Sequence, residues 1–372
     1  MPPPTWVNIE STLGCNLECV MCGSFISGAT KERGTMSKEL IEKIRAEVLP
    51  SATDLSLTVA GEPFMTPKIR DFVDLAKNGE VQLQLNTNAT LIKDSELLKD
   101  VLRQSSVLKI SLDGHGSVYE DIRRGSTWSD VLEKVKLVVR VRNSLPRSNQ
   151  PRLAICMVLM RQNIHQLIEM VELSKAVGVD RFEATYITVM SDEMEHESPR
   201  LIPSEADAIV RAARDRADEL KFRVCLPPLM NGETIPTKQT AQLSLALSEI
   251  KGLTRTRLNR LSFEIKNKIS HKKWARIAKG EIPCSFLRSG VFISVGGDVA
   301  PCPMPGRPVA GNLLKQSFQD IWNGEVLTAM RMGFINGKPH HCCSHCSQSP
   351  GRYVPSDPET SKPKHNSLPT NQ

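Results

Sequence analysis

Short apolar runs recur along the first two hundred residues, and between them the apolar positions fall at helical spacing. Trp6-Val7-Asn8-Ile9-Glu10 predicts an opening strand. Ser37 is placed to cap a helix over Lys38 to Val48, with Glu39 and Glu42 in its first turns and Pro50 beyond its end. Leu55 to Val59 alternates as a strand, and a helix over Pro67 to Lys77 leads to a strand over Val81 to Leu85. A helix over Asp94 to Arg103 precedes a strand starting at Val107, and a helix over Trp128 to Arg142 precedes one over Leu153 to Met160. Ile164 to Val177, ended by Gly178, predicts the next helix, and Arg181 to Thr188 the sixth strand.

Strands alternating with helices at these intervals predict a parallel sheet with right-handed crossovers, hence an α/β fold. Polar residues cluster where the strands end: Cys15 to Cys22, Gly61-Glu62-Pro63, Asn86-Thr87-Asn88, and Ser111 with Asp113. Both barrels and open sheets bind ligands at that edge. No glycine-rich dinucleotide turn follows the first strand, where cysteines stand instead, so a partial (β/α)6 TIM-like barrel is expected.

The pattern changes after Thr188. An acidic stretch (Ser191 to Glu197), a helix over Ser204 to Leu220 and a short strand over Phe222 to Leu226 lead to Pro227-Pro228. From Lys238 to Lys279 there are eleven Lys or Arg against two Glu, more than the whole chain's surplus of +7. Leu245, Ile250, Leu253 and then Leu258, Leu261, Ile265, Ile269 keep helical spacing, so a basic helical pair is expected. Phe292 to Val299, with Gly296-Gly297-Asp298 at its centre, reads as a β-hairpin. The expected organisation is a barrel over residues 1–230, a basic helical insertion over 231–280, a small α+β module over 281–350 and a disordered tail over 351–372.

Ten cysteines, with no signal-peptide pattern in Met1 to Thr5 and no apolar run long enough to span a bilayer, argue for a reducing, cytoplasmic setting and for metal ligation. The first group, Cys15, Cys19 and Cys22, has no fourth cysteine within the next hundred residues. A structural zinc site wants four ligands, whereas three thiolates on a four-iron cube leave one iron open. Cys284, Cys302, Cys342, Cys343 and Cys346 make up a second group. Zinc fits that second set as well.

The Cys15-x-x-x-Cys19-x-x-Cys22 spacing resembles the signature of the radical S-adenosylmethionine (SAM) superfamily. The resemblance implies a [4Fe-4S] cluster whose open iron takes SAM. Ala60-Gly61-Glu62-Pro63 resembles the family's GGEP turn, which receives the SAM ammonium group, with alanine in the first position. Ser111 and Asp113 are similar to its ribose contacts; Arg123 or Arg124 is the candidate for the methionyl carboxylate. Met21 takes the place of an apolar residue near adenine, and Asn88 and Asn163 are weaker candidates for the same pocket. The run from Cys284 to Cys346 resembles a short twitch or SPASM module like those of 2-deoxy-scyllo-inosamine dehydrogenase and the anaerobic sulfatase-maturating enzymes. The resemblance implies an auxiliary [4Fe-4S] cluster closed by Cys284, Cys302, Cys343 and Cys346, with Cys342 a spare. Cys156 and Cys225 are expected to be buried fillers.

The resemblance implies a 5′-deoxyadenosyl radical that abstracts hydrogen, with the auxiliary cluster accepting an electron in a net oxidation, fed by a reductant such as flavodoxin or ferredoxin. Glu183, Tyr186 and Arg161 are the candidates for moving the proton. Cys15 comes too early for a peptide-binding domain ahead of it, which favours a small-molecule substrate, a sugar, cyclitol or nucleoside-type metabolite that the basic segment suggests is anionic. A peptide or protein maturase is the alternative, and a zinc-bound non-enzyme a further one. No nucleic-acid partner is expected.

Overall fold

The structure, a computed structural model, describes residues 2–28, 34–57, 60–93, 95–231, 282, 284–304 and 306–343. The expected basic helical pair, the tail and Cys346 lie outside the described residues. Strands β1 (Trp6–Ile9), β3 (Asp54–Leu57), β4 (Gln82–Thr87), β5 (Ser105–Ser111), β7 (Arg152–Leu159) and β8 (Arg181–Tyr186) pair in parallel in that order. These are the six predicted strands. At one edge β9 (Arg223–Cys225) adds a further parallel strand to β8. At the other, β10 (Gly290–Ile293) pairs in parallel with β1, and β11 (Asp298–Ala300) and β12 (Gly311–Asn312) follow it antiparallel. The C-terminal hairpin therefore extends the barrel's own sheet.

Strand alternation sorts the two faces of this sheet. Val7, Ile9, Leu55, Leu83, Leu85, Ile110, Ile155, Phe182, Val291 and Ile293 share one face and one buried cluster with helix residues such as Leu40, Phe72, Val101, Val135, Val171 and Ala213. Those helices are α2 (Lys38–Glu47), α3 (Ile69–Asn78), α4 (Ser95–Gln104), α6 (Trp128–Ser144), α7 (Leu167–Val177) and α8 (Pro203–Glu219). Among the described residues these helices cover one face only. That is the arrangement of a barrel wall, where a doubly wound sheet would carry helices on both. Asn8, Ser56, Gln84, Asn86, Lys109, Glu183 and Arg181 alternate with the apolar set, so the polar face is the barrel's interior.

Local signals explain most boundaries. Ser37 accepts from Leu40 N and caps α2, and Thr127 does the same for α6 through Asp130 N. Gly178 ends α7 in the left-handed region. Two features have no sequence counterpart. One is helix α5 (Gly116–Ile122); the other is a short antiparallel ladder between β2 (Glu18–Cys19) and β6 (Arg123–Arg124). That ladder pairs Cys19 with Arg123 and Glu18 with Arg124, fastening the cysteine loop to the loop after β5.

The hairpin module is held at several further points. Trp322 Nε1 donates to Pro2 O at 3.0 Å, Phe318 N to Glu47 Oε2 at 2.7 Å and Val295 N to Glu10 Oε2 at 3.1 Å. Arg331 is buried, stacks on Trp322 and donates to Trp322 O and Leu287 O.

Candidate functional site

The cysteine loop leaves the carboxyl end of β1 and meets the turn after β3 backbone to backbone. Glu62 N donates to Gly14 O at 2.8 Å. Gly61 has φ +69°, and a Cβ there would lie 2.3 Å from Thr12 O and 2.7 Å from Gly14 O, so only glycine permits this approach. Ala60, the departure from two glycines, is half-buried.

Glu62 is 2% exposed. Its Oε1 accepts from Thr87 Oγ1 (2.6 Å) and Phe64 N (3.2 Å), and its Oε2 from Asn88 N (2.7 Å). Burial pushes its carboxyl pKa up, against the pull of those three donors. These bonds tie the end of β4 to the turn after β3. Asn88, so held, donates through Nδ2 to Asn16 Oδ1 (3.1 Å) and to Cys15 Sγ (3.9 Å).

Asp113 is likewise fully buried. Its Oδ1 accepts from Val158 N at 2.6 Å, and its Oδ2 pairs with Arg123 Nη2 at 2.7 Å. The carboxylate thus joins the loop after β5 to β7 and to Arg123. Arg123, buried beside it, donates through Nη1 to Cys19 Sγ at 3.8 Å. Burial pushes the Cys19 thiol up to about 12, against the pull of Arg123. Burial also raises Cys15, with Glu62 and Cys22 adding to the effect.

Arg124 points elsewhere. It is exposed and lines a cavity of ≈670 Å³ with Met21, Met160, Ile187, Met194 and Glu197. Met21 packs there against the buried cluster of Ile122, Met160, Ile187 and Met194. Ser111, half-buried, closes β5 level with Cys156, which pairs in turn with Glu183. Asn163 is buried and bonds Met160 N, Val158 O and Asp113 O, so it shapes the loop after β7.

The three proton-transfer candidates are not brought together. Glu183 is on the interior face, 2.7 Å from Lys109 Nζ and paired with Arg181. Burial works to raise its pKa, but the cations of Lys109 and Arg181 outweigh it and hold the carboxyl low, which makes it a weak base. Tyr186 falls on the opposite face, packed with Ile164, Ala206 and Met230 beneath the helices. Arg161 is exposed and donates to His196 O at 3.1 Å, fixing the 192–197 segment. Sequence reasoning missed Lys109 and Arg181, although charges inside otherwise apolar strands were a usable signal. It also missed Asn86, beside Lys109 in register, whose buried Oδ1 has no hydrogen-bond partner among the described residues. Cys156 shares Glu183 Oε2 at 3.8 Å and Cys225 is exposed, so neither is a buried filler.

The second thiol group gathers where β10 begins and β11 ends. Cys284 directly precedes the helix Ser285–Ser289 that leads into β10, and Cys302 follows β11. Cys284, Cys342 and Cys343 pack on Ile282, Leu287, Met330 and Phe334. Cys343 feels Cys342, Cys284 and Cys302 electrostatically, and burial drives its thiol pKa upward. Cys342 Sγ lies 3.8 Å from Cys343 Sγ and 3.0 Å from His340 Nδ1. The two thiol groups thus stand at opposite ends of the β1–β10 pair.

Residues 9–174 match the model of the radical SAM superfamily, and residues 284–347 match SPASM, an iron–sulfur cluster-binding domain. The chain belongs to the radical SAM superfamily. It is 23% identical over 337 residues to the AdoMet-dependent heme synthase of Methanosarcina barkeri, covering 88% of this chain and 85% of that protein. It is 28% identical over 174 residues to the mycofactocin maturase MftC of Mycolicibacterium smegmatis, covering 47% and 42%. Streptococcus suis SuiB bound to S-adenosylmethionine superposes with TM-score 0.60 at 15% identity, covering 89% of this chain and 68% of that one. The structure of anSMEcpe with bound AdoMet gives 0.60 at 16%, covering 93% and 88%. These two likenesses show the fold, the radical SAM partial barrel with its C-terminal module.

The radical SAM domain binds a [4Fe-4S] cluster and S-adenosylmethionine, and the SPASM domain binds further iron–sulfur clusters. The residues present suit them. The first loop supplies only soft thiol donors, within electrostatic reach of one another and served by one buried cation. In the second group Cys284, Cys302 and Cys342 are within electrostatic reach of Cys343. Among those residues no three His, Cys, Asp or Glu side chains converge as they would around a single ion. No helix of the described residues is long and apolar enough to cross a membrane.

Proposed function

We propose that this radical SAM enzyme takes hydrogen from an anionic small molecule in a net oxidation, in the reducing cytoplasm, with electrons arriving from a flavodoxin or ferredoxin. When bound, the cluster and SAM supply the 5′-deoxyadenosyl radical that abstracts hydrogen. Cys15, Cys19 and Cys22 hold the first cluster; Cys284, Cys302, Cys343 and Cys346 hold the auxiliary one. Met21, with Met160 and Ile187, forms the apolar seat for adenine, and Ser111 reaches the ribose. Arg124, open at the same cavity, takes the methionyl carboxylate, because Arg123 is committed to Asp113. Gly61, Glu62, Asn88, Asp113 and Arg123 shape the loop that presents the thiols.

The observation that carries the substrate reading is the charged interior face of β4, β5 and β8. Lys109 and Arg181 place two cations against the single carboxylate of Glu183, and Asn86 Oδ1 stands ready for a donor. Such a wall anchors a carboxylate or phosphate and a hydrogen-bond donor of one molecule. The relative that matches along nearly the whole chain is named for heme, a small molecule, which supports the same reading. A peptide maturase is the second reading, favoured by the 28% identity to MftC over 174 residues.

The test adds separated small-molecule and peptide fractions of a cell extract to anaerobically reconstituted enzyme with dithionite and SAM, and measures 5′-deoxyadenosine. Stimulation by the small-molecule fraction, lost in Lys109→Met, is the expected result. Stimulation by the peptide fraction alone would transfer the case to the second reading.

A further inference from the structure

Two buried carboxylates, Glu62 and Asp113, stand next to the cysteine loop, and each holds a donor against a different cysteine sulfur. Glu62 fixes Asn88 through its backbone N–H, and Asn88 Nδ2 reaches Cys15 Sγ at 3.9 Å. Asp113 fixes Arg123 at 2.7 Å, and Arg123 Nη1 reaches Cys19 Sγ at 3.8 Å. The ladder between β2 and β6 sets Arg123 directly opposite Cys19, so the contact is built into the backbone. Arg123 and Asp113 are both buried, so water screens this charge poorly.

We propose that Arg123 and Asn88 are positioning residues that set the reduction potential of the cluster held by Cys15, Cys19 and Cys22. The inference rests on the assignment of that cluster to the first loop and goes beyond it. Adding an electron makes the sulfurs more negative, so an N–H donor or a nearby cation stabilises the reduced state and raises the potential. Arg123 brings both a donor and a charge; Asn88 brings a donor without a charge. Arg123 therefore has the larger effect. Asp113 offsets part of the charge while it keeps the guanidinium aimed at sulfur, and Glu62 does the same aiming for the amide.

The experiment is a redox titration of the reconstituted full-length protein, followed by electron paramagnetic resonance without SAM, with iron counted in every sample. Arg123→Gln, Arg123→Lys and Asn88→Ala are compared with the unmodified chain, and the SPASM signal serves as internal standard. Arg123→Gln should make one-electron reduction of the first cluster about tenfold less favourable, a shift of ~59 mV to more negative potential. Asn88→Ala should shift it the same way by less, and Arg123→Lys should fall between Gln and the unmodified chain. A purely structural role would change iron content and leave the midpoint where it was. If Arg123→Gln holds no cluster, Arg123→Lys and Asn88→Ala decide. Midpoints in iron-replete variants that stay at the unmodified value, or move upward, overturn the proposal. If instead the signal survives replacement of Cys15, Cys19 and Cys22 by alanine, the cluster assignment itself has failed, a different result from an unmoved midpoint.

Discussion

Asp113 and Arg123 bury a full ion pair in the wall of the site, and such a pair is most costly to break from one side. Asp113→Asn leaves the guanidinium of Arg123 buried without a counter-charge. It should cost about 3–5 kcal/mol of stability, measured by urea unfolding of the apoprotein. Gly61→Ala drives a Cβ into Thr12 O at a positive φ, and should cost more than about 1 kcal/mol and lower the iron retained by the first loop. Glu183 makes a pH prediction. Its folded carboxyl is held below the usual 4.5, so it stabilises the fold above that value and loses the contribution as pH falls through its folded pKa. Glu183→Gln should therefore be less stable than the unmodified chain at neutral pH, by about 2 kcal/mol, and the gap should close in acid. At this scale residue types and spacing singled out positions that the fold brings together: Cys15, Cys19, Glu62, Asp113 and Arg123. What they could not give was direction. Whether a carboxylate faces a ligand or a protein donor depends on burial by distant chain, and Val158 is 45 residues from Asp113.

Elements were legible where local chemistry sets them. Ser37 and Gly178 bound their helices as their side chain and conformation require, and the period-two strands of the barrel were found within a few residues. Tyr186 was legible too, since alternation from Glu183 already sends it to the helix-covered face. The two-residue ladder of β2 with β6 was not, because its partners are some hundred residues apart and carry no strand pattern of their own. Nor could spacing reveal that β10 joins β1. That joint ties both thiol groups to one sheet, so damage to it should be felt at both. Ile293, fully buried opposite Ile9, is the place to test it. Ile293→Ala should cost about 2–5 kcal/mol in urea unfolding and reduce the iron bound at both thiol groups in proportion. Loss confined to the second group would mean that the hairpin is only an appendage.

Across the whole molecule, the first thiol loop crowns the carboxyl edge of β1 and the second group lies at the other end of the β1–β10 pair. The pair spans four residues, roughly 13 Å of strand. Lys109, Arg181, Glu183 and Asn86 lie on the polar interior face of the same sheet, on β4, β5 and β8. The central claim is therefore a division of labour between two clusters in one chain. Its most direct measurement is iron content together with 5′-deoxyadenosine release, comparing the reconstituted chain with a variant in which Cys15, Cys19 and Cys22 are alanine. The unmodified chain should hold about eight irons, four for each cluster, and cleave SAM with dithionite. The variant should keep about four and release no 5′-deoxyadenosine. A variant that still cleaves SAM, or an unmodified chain that binds stoichiometric zinc and yields no nucleoside, would contradict the account.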